Sequence, residues 1–210
     1  MSKKLWLLDV DGTVVKPHTN EVLEGVREWI ATLDPDQNLF AFVTNNGQVG
    51  LRFWIESAGG FGKTDAEKAQ SLADATEKYP TKFEAAIRIE EIGQDLFGDR
   101  FVWAQFLSFR YQSKAGNWSP TPYDATEAER IAWAYNDKDP NAKLEVTEDD
   151  LPNAWRKDRR KPAPGMLLDA MAHFVGHFTE VAMIGDSADD KAAAEAAGVI
   201  YHYAREFFNK

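Results

Sequence analysis

The stretch Leu5-Trp6-Leu7-Leu8-Asp9-Val10-Asp11-Gly12-Thr13 decides how the rest of the chain is read. A short apolar run that ends in acid and glycine has the form of a buried parallel strand feeding a loop. Residues two apart in an extended chain point the same way, so Asp9 and Asp11 can face one site while Gly12 permits a tight turn. Two carboxylates this close repel each other. A hard divalent cation that takes oxygen ligands, such as Mg2+, removes that conflict.

Outward from this run, Val22, Val26, Trp29, Ile30 and Leu33 recur at helical spacing, with Asn20 placed to cap the start and Asp34-Pro35 to end the helix. Leu39 to Val43 is a second apolar strand. Strand, helix, strand implies a right-handed crossover and a parallel sheet. Val49, Phe53 and Ile55 mark a helix stopped by Gly59-Gly60, and two capping boxes, Thr64 with Glu67 and Thr81 with Glu84, each head a further helix. Phe101 to Leu107 and Val181 to Ile184 read as strands. Ala188 to Ala197 is an alanine-rich helix closed by Gly198, and Val199 to Tyr203 returns as the last strand. The pattern predicts an α/β fold, a doubly wound Rossmann-like parallel sheet forming one domain over residues 1–210. The connection after the third strand is far longer than the usual span of about 2–6 residues. An insertion is therefore expected at 110–160, before Lys161, with a helix headed by Thr126 and Glu129 and carrying Ile131, Ala132 and Tyr135.

The 210 residues are 44% hydrophobic and 12% aromatic, the composition of a globular chain with a sizeable core. The absence of cysteine excludes disulfides, thiolate metal sites and thiol catalysis, and fits a reducing compartment. Leu5 to Leu8 is too short for a signal-peptide core, and no apolar run approaches the ~18 residues of a membrane span. The chain reads as cytoplasmic, without a membrane partner. With 24 basic and 34 acidic residues the net charge is −10, which disfavours non-specific binding of polyanions. A local basic patch, Arg156-Lys157-Asp158-Arg159-Arg160-Lys161, runs against that field.

Three more polar clusters sit past strand ends or at a helix start, where open parallel sheets gather their ligands. Val43-Thr44-Asn45-Asn46-Gly47 offers a hydroxyl and loop N–H groups to phosphate oxygens. Lys161 lies in Arg160-Lys161-Pro162-Ala163-Pro164-Gly165, on the loop feeding a helix with Leu167, Leu168 and Met171, whose first turn suits Pro164. Gly185-Asp186-Ser187-Ala188-Asp189-Asp190 supplies acids that would complete a metal site with Asp9 and Asp11.

In this order, the four runs resemble the four motifs of the haloacid dehalogenase (HAD) superfamily, over most of the chain. The resemblance implies that Asp9 attacks phosphorus, while Asp11 protonates the leaving oxygen and then activates water to cleave the aspartyl-phosphate. It also implies that Thr44 and the Asn45 backbone hold the phosphoryl group, that Lys161 balances charge on it and on Asp9, and that Asp186 ligates Mg2+ with Asp190 in support. An acid two residues past the nucleophile marks the phosphatase and phosphomutase branch. Lys161-Pro162-Ala163-Pro164-Gly165-Met166 is similar to the segment in histidinol-phosphate and heptose-bisphosphate phosphatases, which group with polynucleotide 3′-phosphatases among members without large caps. The cysteine-histidine zinc loop often found before this lysine is absent. Only about thirty residues, filled by one helix, separate Asp11 from Thr44, which leaves no room there for a helical cap.

The first expectation is therefore a Mg2+-dependent phosphatase acting on a small-molecule phosphomonoester, with Arg160 as a further substrate contact. The second is a polynucleotide 3′-end phosphatase using Arg110, Lys114 and the run from Arg156 to Arg160 on nucleic acid. A phosphate-binding module without turnover is a third, and the complete set of motif residues argues against it. The four histidines show no metal-ligand spacing, and the aromatic residues of Phe101 to Phe109 read as core rather than a base-stacking platform.

Overall fold

A computed structural model of the chain describes residues 3–122, 149 and 151–208. Five strands, β1 (Lys4–Leu8), β2 (Asn38–Asn45), β3 (Val102–Ser108), β4 (Glu180–Gly185) and β5 (Ile200–Tyr203), form one sheet in the order β3-β2-β1-β4-β5. Every neighbouring pair is parallel, with Leu8 level with Phe42 on one side and Ile184 on the other. The doubly wound sheet is thus as the alternation of apolar runs implies. Strand order reverses between β1 and β4, so the loops after these two strands open at the point where such sheets bind ligands.

The period of two in each strand sorts its side chains to two faces. Trp6, Leu8, Phe40, Phe42, Ala182 and Ile184 join Val26, Ile30, Ile89 and Ile92 in one core. Leu5, Leu7, Leu39, Ala41, Val43 and Met183 join Met166, Leu167, Ala170, Ala193 and Ala194 in the other. The first layer is covered by α1 (Val26–Ala31), α4 (Lys82–Leu96) and α7 (Ala204–Phe208), the second by α5 (Gly165–His173) and α6 (Ala188–Ala197). Phe101 and Phe109 are buried, as the core reading of that segment expects.

The first helix departs from its periodicity. It starts at Val26 behind Gly25, which has a positive φ of 82°, and ends at Ala31 rather than near Asp34. Asn20 does not cap it; its side-chain amide donates to Glu91 on α4 instead, at 3.3 Å. Asp34 closes the following turn, accepting from Asp36 N–H and Gln37. The Thr64–Glu67 capping box forms as expected at the head of α3 (Asp65–Lys78), and Gly198 closes α6 in the left-handed region.

The chain divides into two compact units: Met1–Asn45, Phe83–Ser108 and Asp158–Lys210, which contains the sheet, and Asn46–Lys82 with Phe109–Lys157. The second holds α2 (Gly47–Ser57) and α3 together with much of the segment read as an insertion. Within it Phe109 N–H donates to Ala154 C=O at 2.7 Å, Trp155 packs edge-on against Phe53 and Phe109, and the buried Arg110 donates to Ser119 C=O at 2.8 Å. A Cβ on Gly50 would lie 2.2 Å from the Phe109 carbonyl oxygen, so α2 and this segment meet backbone to backbone. The helix expected from Thr126 to Tyr135 lies outside the described residues. Among the described residues no helix is long and apolar enough to cross a membrane.

Candidate active site

Asp9 follows directly on β1. Its N–H donates to Ile184 C=O on β4 at 3.0 Å, which ties the start of the loop to the neighbouring strand. The loop then turns back at once: the N–H groups of Thr13, Val14 and Val15 all point to the Val10 carbonyl at 3.0–3.2 Å. Gly12 makes the turn possible with a φ of 83°, and a Cβ there would sit 2.1 Å from Asp186 Oδ2. The positive φ calls for glycine, and the missing Cβ leaves the space that the Asp186 carboxylate occupies. The buried Thr13 hydroxyl donates to Asp9 Oδ2 at 3.3 Å.

Lys161 is 2% exposed, yet its ammonium reaches two carboxylates. It donates to Asp9 Oδ1 at 2.6 Å and to Asp190 Oδ1. The other Asp190 oxygen accepts from Ser187 N–H and from the Ser187 hydroxyl, at 3.1 and 2.6 Å, in the capping box that opens α6. Asp186 lies between β4 and α6 with its carboxylate exposed, and carboxylate oxygens of Asp9, Asp186 and Asp190 come within 4.8 Å of one another.

Three carboxylates around one ammonium leave an excess of negative charge, and the titration of the groups reflects it. Burial, with the Asp190 and Asp186 carboxylates, pushes Asp9 up to about 6 against the opposing pull of Lys161. Partial burial of its carboxyl, although the residue is exposed as a whole, and Asp190 likewise raise Asp186. Burial alone would lower Lys161, but Asp9 and Asp190 overturn that and raise it, so the ammonium stays charged. A divalent cation beside Asp9 and Asp186 would relieve the conflict, and an all-oxygen donor set with one exposed carboxylate suits Mg2+. The residues present therefore fit such an ion.

Asp11 is the acid that does not join this group. Its carboxylate accepts two bonds from the Arg88 guanidinium, at 2.8 and 3.2 Å, and a third from His18 N–H at 2.8 Å. The sequence grouped four acids at the metal; the structure gathers Asp9, Asp186 and Asp190 and holds the Asp11 side chain on Arg88, because a planar guanidinium binds a carboxylate as a fork. Arg88 also donates to Thr19 C=O at 2.6 Å, bracing the loop that carries His18. It sits on α4 among Ala85, Ile89 and Ile92, and only a charge at the border of an apolar helix face could have signalled it.

Thr44 and Asn45 end β2, with Thr44 2% exposed. The Asn45 side chain is turned to the backbone of Lys161 rather than outward. Arg160 is half-buried, in the turn where its carbonyl accepts from Ala163 N–H. Two further arginines of the basic run are paired with acids of their own units: Arg156 with Asp149 at 2.7 Å, and Arg159 with Asp169 at 2.6 Å and with Asp158. A polyanion would have to compete with these acids.

Residues 158–200, which carry Lys161, Asp186 and Asp190, match the family model described as HAD-hydrolase-like. No curated protein matches the chain. Similar solved structures include D,D-heptose 1,7-bisphosphate phosphatase from B. bronchiseptica, complexed with magnesium and phosphate. It is 18% identical over 94% of this chain and 78% of that one, with a TM-score of 0.49. The 4-nitrophenylphosphatase from Thermotoga maritima is 18% identical over 95% and 84%, at 0.35. The glycerol phosphate phosphatase from Mycobacterium tuberculosis, in complex with magnesium, is 18% identical over 94% and 66%, at 0.34. The match over residues 158–200, together with the parallel sheet and its acidic loops, is what this chain shares with HAD-like hydrolases.

Proposed function

We propose that the chain is a Mg2+-dependent phosphatase that hydrolyses small-molecule phosphomonoesters through an aspartyl-phosphate on Asp9. The observation that carries this reading is the Lys161 ammonium shared between Asp9 and Asp190, beside an exposed Asp186. Asp9 and Asp186 would hold the ion, and Asp190 would anchor Lys161 and Ser187 behind them. When bound, Mg2+ supplies positive charge against the carboxylates and the phosphoryl oxygens.

The residues of the chain then divide the work. A carboxylate oxygen of Asp9 forms a bond to phosphorus as the bond from phosphorus to the ester oxygen breaks, and the Asp11 carboxyl gives its proton to the departing alkoxide. A water molecule next attacks phosphorus, Asp11 takes its proton, and the Asp9 carboxylate leaves with inorganic phosphate released. Lys161 offsets charge on Asp9 and the transferring group, Thr13 fixes the rotation of Asp9, and Arg88 with His18 N–H aims Asp11. The Thr44 hydroxyl and the Asn45 N–H would face the phosphoryl oxygens. The pairing of Arg156 and Arg159 with acids favours a small ester over nucleic acid.

Release of phosphate from an aryl phosphate with and without Mg2+, in the wild-type chain and in Asp9→Asn, tests the proposal. Turnover that needs Mg2+ and Asp9 is expected. Turnover retained in Asp9→Asn would refute the nucleophile.

A further inference from the structure

Lys161 reaches two acids from a stretch of chain that belongs to no regular element. It lies between a 3-10 turn (Lys157–Arg159) and α5. Its backbone therefore has no helix or strand ladder to hold it. The partners come from Asn45 instead: Asn45 Oδ1 accepts from Lys161 N–H at 3.0 Å, and Asn45 Nδ2 donates to Lys161 C=O at 2.9 Å. The two residues are 116 positions apart. One planar amide thus satisfies both backbone groups of one residue, as a neighbouring strand would.

We infer that Asn45 is a positioning residue that acts through Lys161, its side chain extending the order of β2 to the loop that carries the ammonium. The inference rests on the proposed phosphatase reading only for its effect on rate; the contact itself does not depend on it. Lysine has a flexible four-carbon stem, and its charge is useful in phosphoryl transfer only where it is held. Asn45 is the last residue of β2, level with Ser108 on β3. The β2–β3 ladder fixes where its backbone lies. The two bonds need one donor and one acceptor in a single short side chain, which asparagine has and aspartate lacks. Asn45→Asp would turn a carboxylate oxygen toward the Lys161 carbonyl and add negative charge beside a cluster that already has an excess.

The test is a double-mutant cycle on aryl phosphate hydrolysis with saturating Mg2+. Asn45→Ala should lower kcat by about 10- to 100-fold with little change in KM, the loss expected when a reacting group is displaced by about 1 Å. In a Lys161→Ala background the same substitution should cost no more than about twofold, because the group it positions is gone. Equal losses in the two backgrounds, or an Asn45→Ala variant as fast as wild type, would overturn the inference. A second readout requires no turnover. Trace acetylation of the metal-free protein, read by peptide mass, should modify Lys161 at least about tenfold faster in Asn45→Ala than in wild type, with the exposed Lys191 unchanged as an internal control. An unchanged Lys161 rate would overturn the inference even if wild type released no phosphate, an outcome that would instead count against the phosphatase reading.

Discussion

The guanidinium of Arg88 on α4 grips the carboxylate of Asp11 through two N–H bonds, at 2.8 and 3.2 Å, and so holds one acid of the first loop apart from its neighbour Asp9. The two acids of one short motif thereby acquire different surroundings. Asp9, itself buried, meets an ammonium and two carboxylates, whereas the partly exposed Asp11 meets a planar cation and a backbone N–H. That separation suits the proposed roles, with Asp9 as nucleophile and Asp11 as proton carrier, which must not compete for one partner.

Arg88→Ala is expected to lower kcat by about tenfold or more, since a mis-aimed proton carrier slows both chemical steps. Arg88→Lys should recover little of it, because an ammonium cannot bind as a fork. Both side chains are partly exposed, so the loss of stability should stay near 1 kcal/mol or below. Steady-state kinetics beside urea midpoints check the contrast; a kcat equal to wild type in Arg88→Ala would remove Arg88 from the mechanism.

Lys161→Met removes the buried cation shared by two buried acids. Breaking such a cluster from one side costs about 3–5 kcal/mol, and the metal-free variant should unfold at markedly lower urea at pH 7. Added Mg2+ should restore part of that stability by binding the folded state. An unchanged midpoint would mean that the lysine is not the balancing charge.

Burial and the neighbouring carboxylates raise Asp9 from 3.8 to about 6. Between these values the folded chain keeps a proton at Asp9 that the unfolded chain has released. Stability therefore falls as pH rises from about 4 to about 6 and stays low above it, by up to about 3 kcal/mol. Without metal, Asp9→Asn should accordingly melt above wild type at pH 7 and lose that advantage near pH 4. Melting curves across pH 4–8 with no difference between the two proteins would contradict it.

Gly12→Ala places a methyl group 2.1 Å from Asp186 Oδ2 on a backbone with φ of 83°. Asp186 must move, so the Mg2+ concentration for half-maximal activity should rise by about tenfold or more. Calorimetric titration with Mg2+ provides the same comparison without turnover, and equal affinities would separate Asp186 from the ion.

Much of this was legible in the chain because strand and motif coincide. The runs ending at Asp9, Thr44 and Asp186 are apolar, end in polar residues, and form β1, β2 and β4, so the sheet and three parts of the site are read together. Helix α6 spans the alanine-rich run closed by Gly198, while the Ser187 capping box at its head emerges only in the structure. What periodicity could not supply are partners set by tertiary packing. Arg88 is 77 positions from Asp11, and nothing local distinguishes it from any other charge beside an apolar helix face. The sequence offers Asn45 through its backbone N–H in a phosphate loop, and the partner of its side-chain amide lies 116 positions away. The cap offered by Asn20 lost to Gly25 because the chain from Thr13 to Leu23 is held as a loop, with Leu23 N–H bonded to Val14 C=O. Helix α7 has five residues, too few to show a period.

The most direct test of the central claim is to trap the covalent intermediate. The protein is mixed with Mg2+ and an aryl phosphate, quenched in acid during turnover, reduced with borohydride and mapped by peptide mass. An acyl-phosphate on Asp9 is reduced to the alcohol, so the peptide containing Asp9 should lose about 14 Da at that residue, and not in Asp9→Asn. Sustained phosphate release with Asp9 unmodified, or with the modification at Asp11, Asp186 or Asp190, would contradict the account.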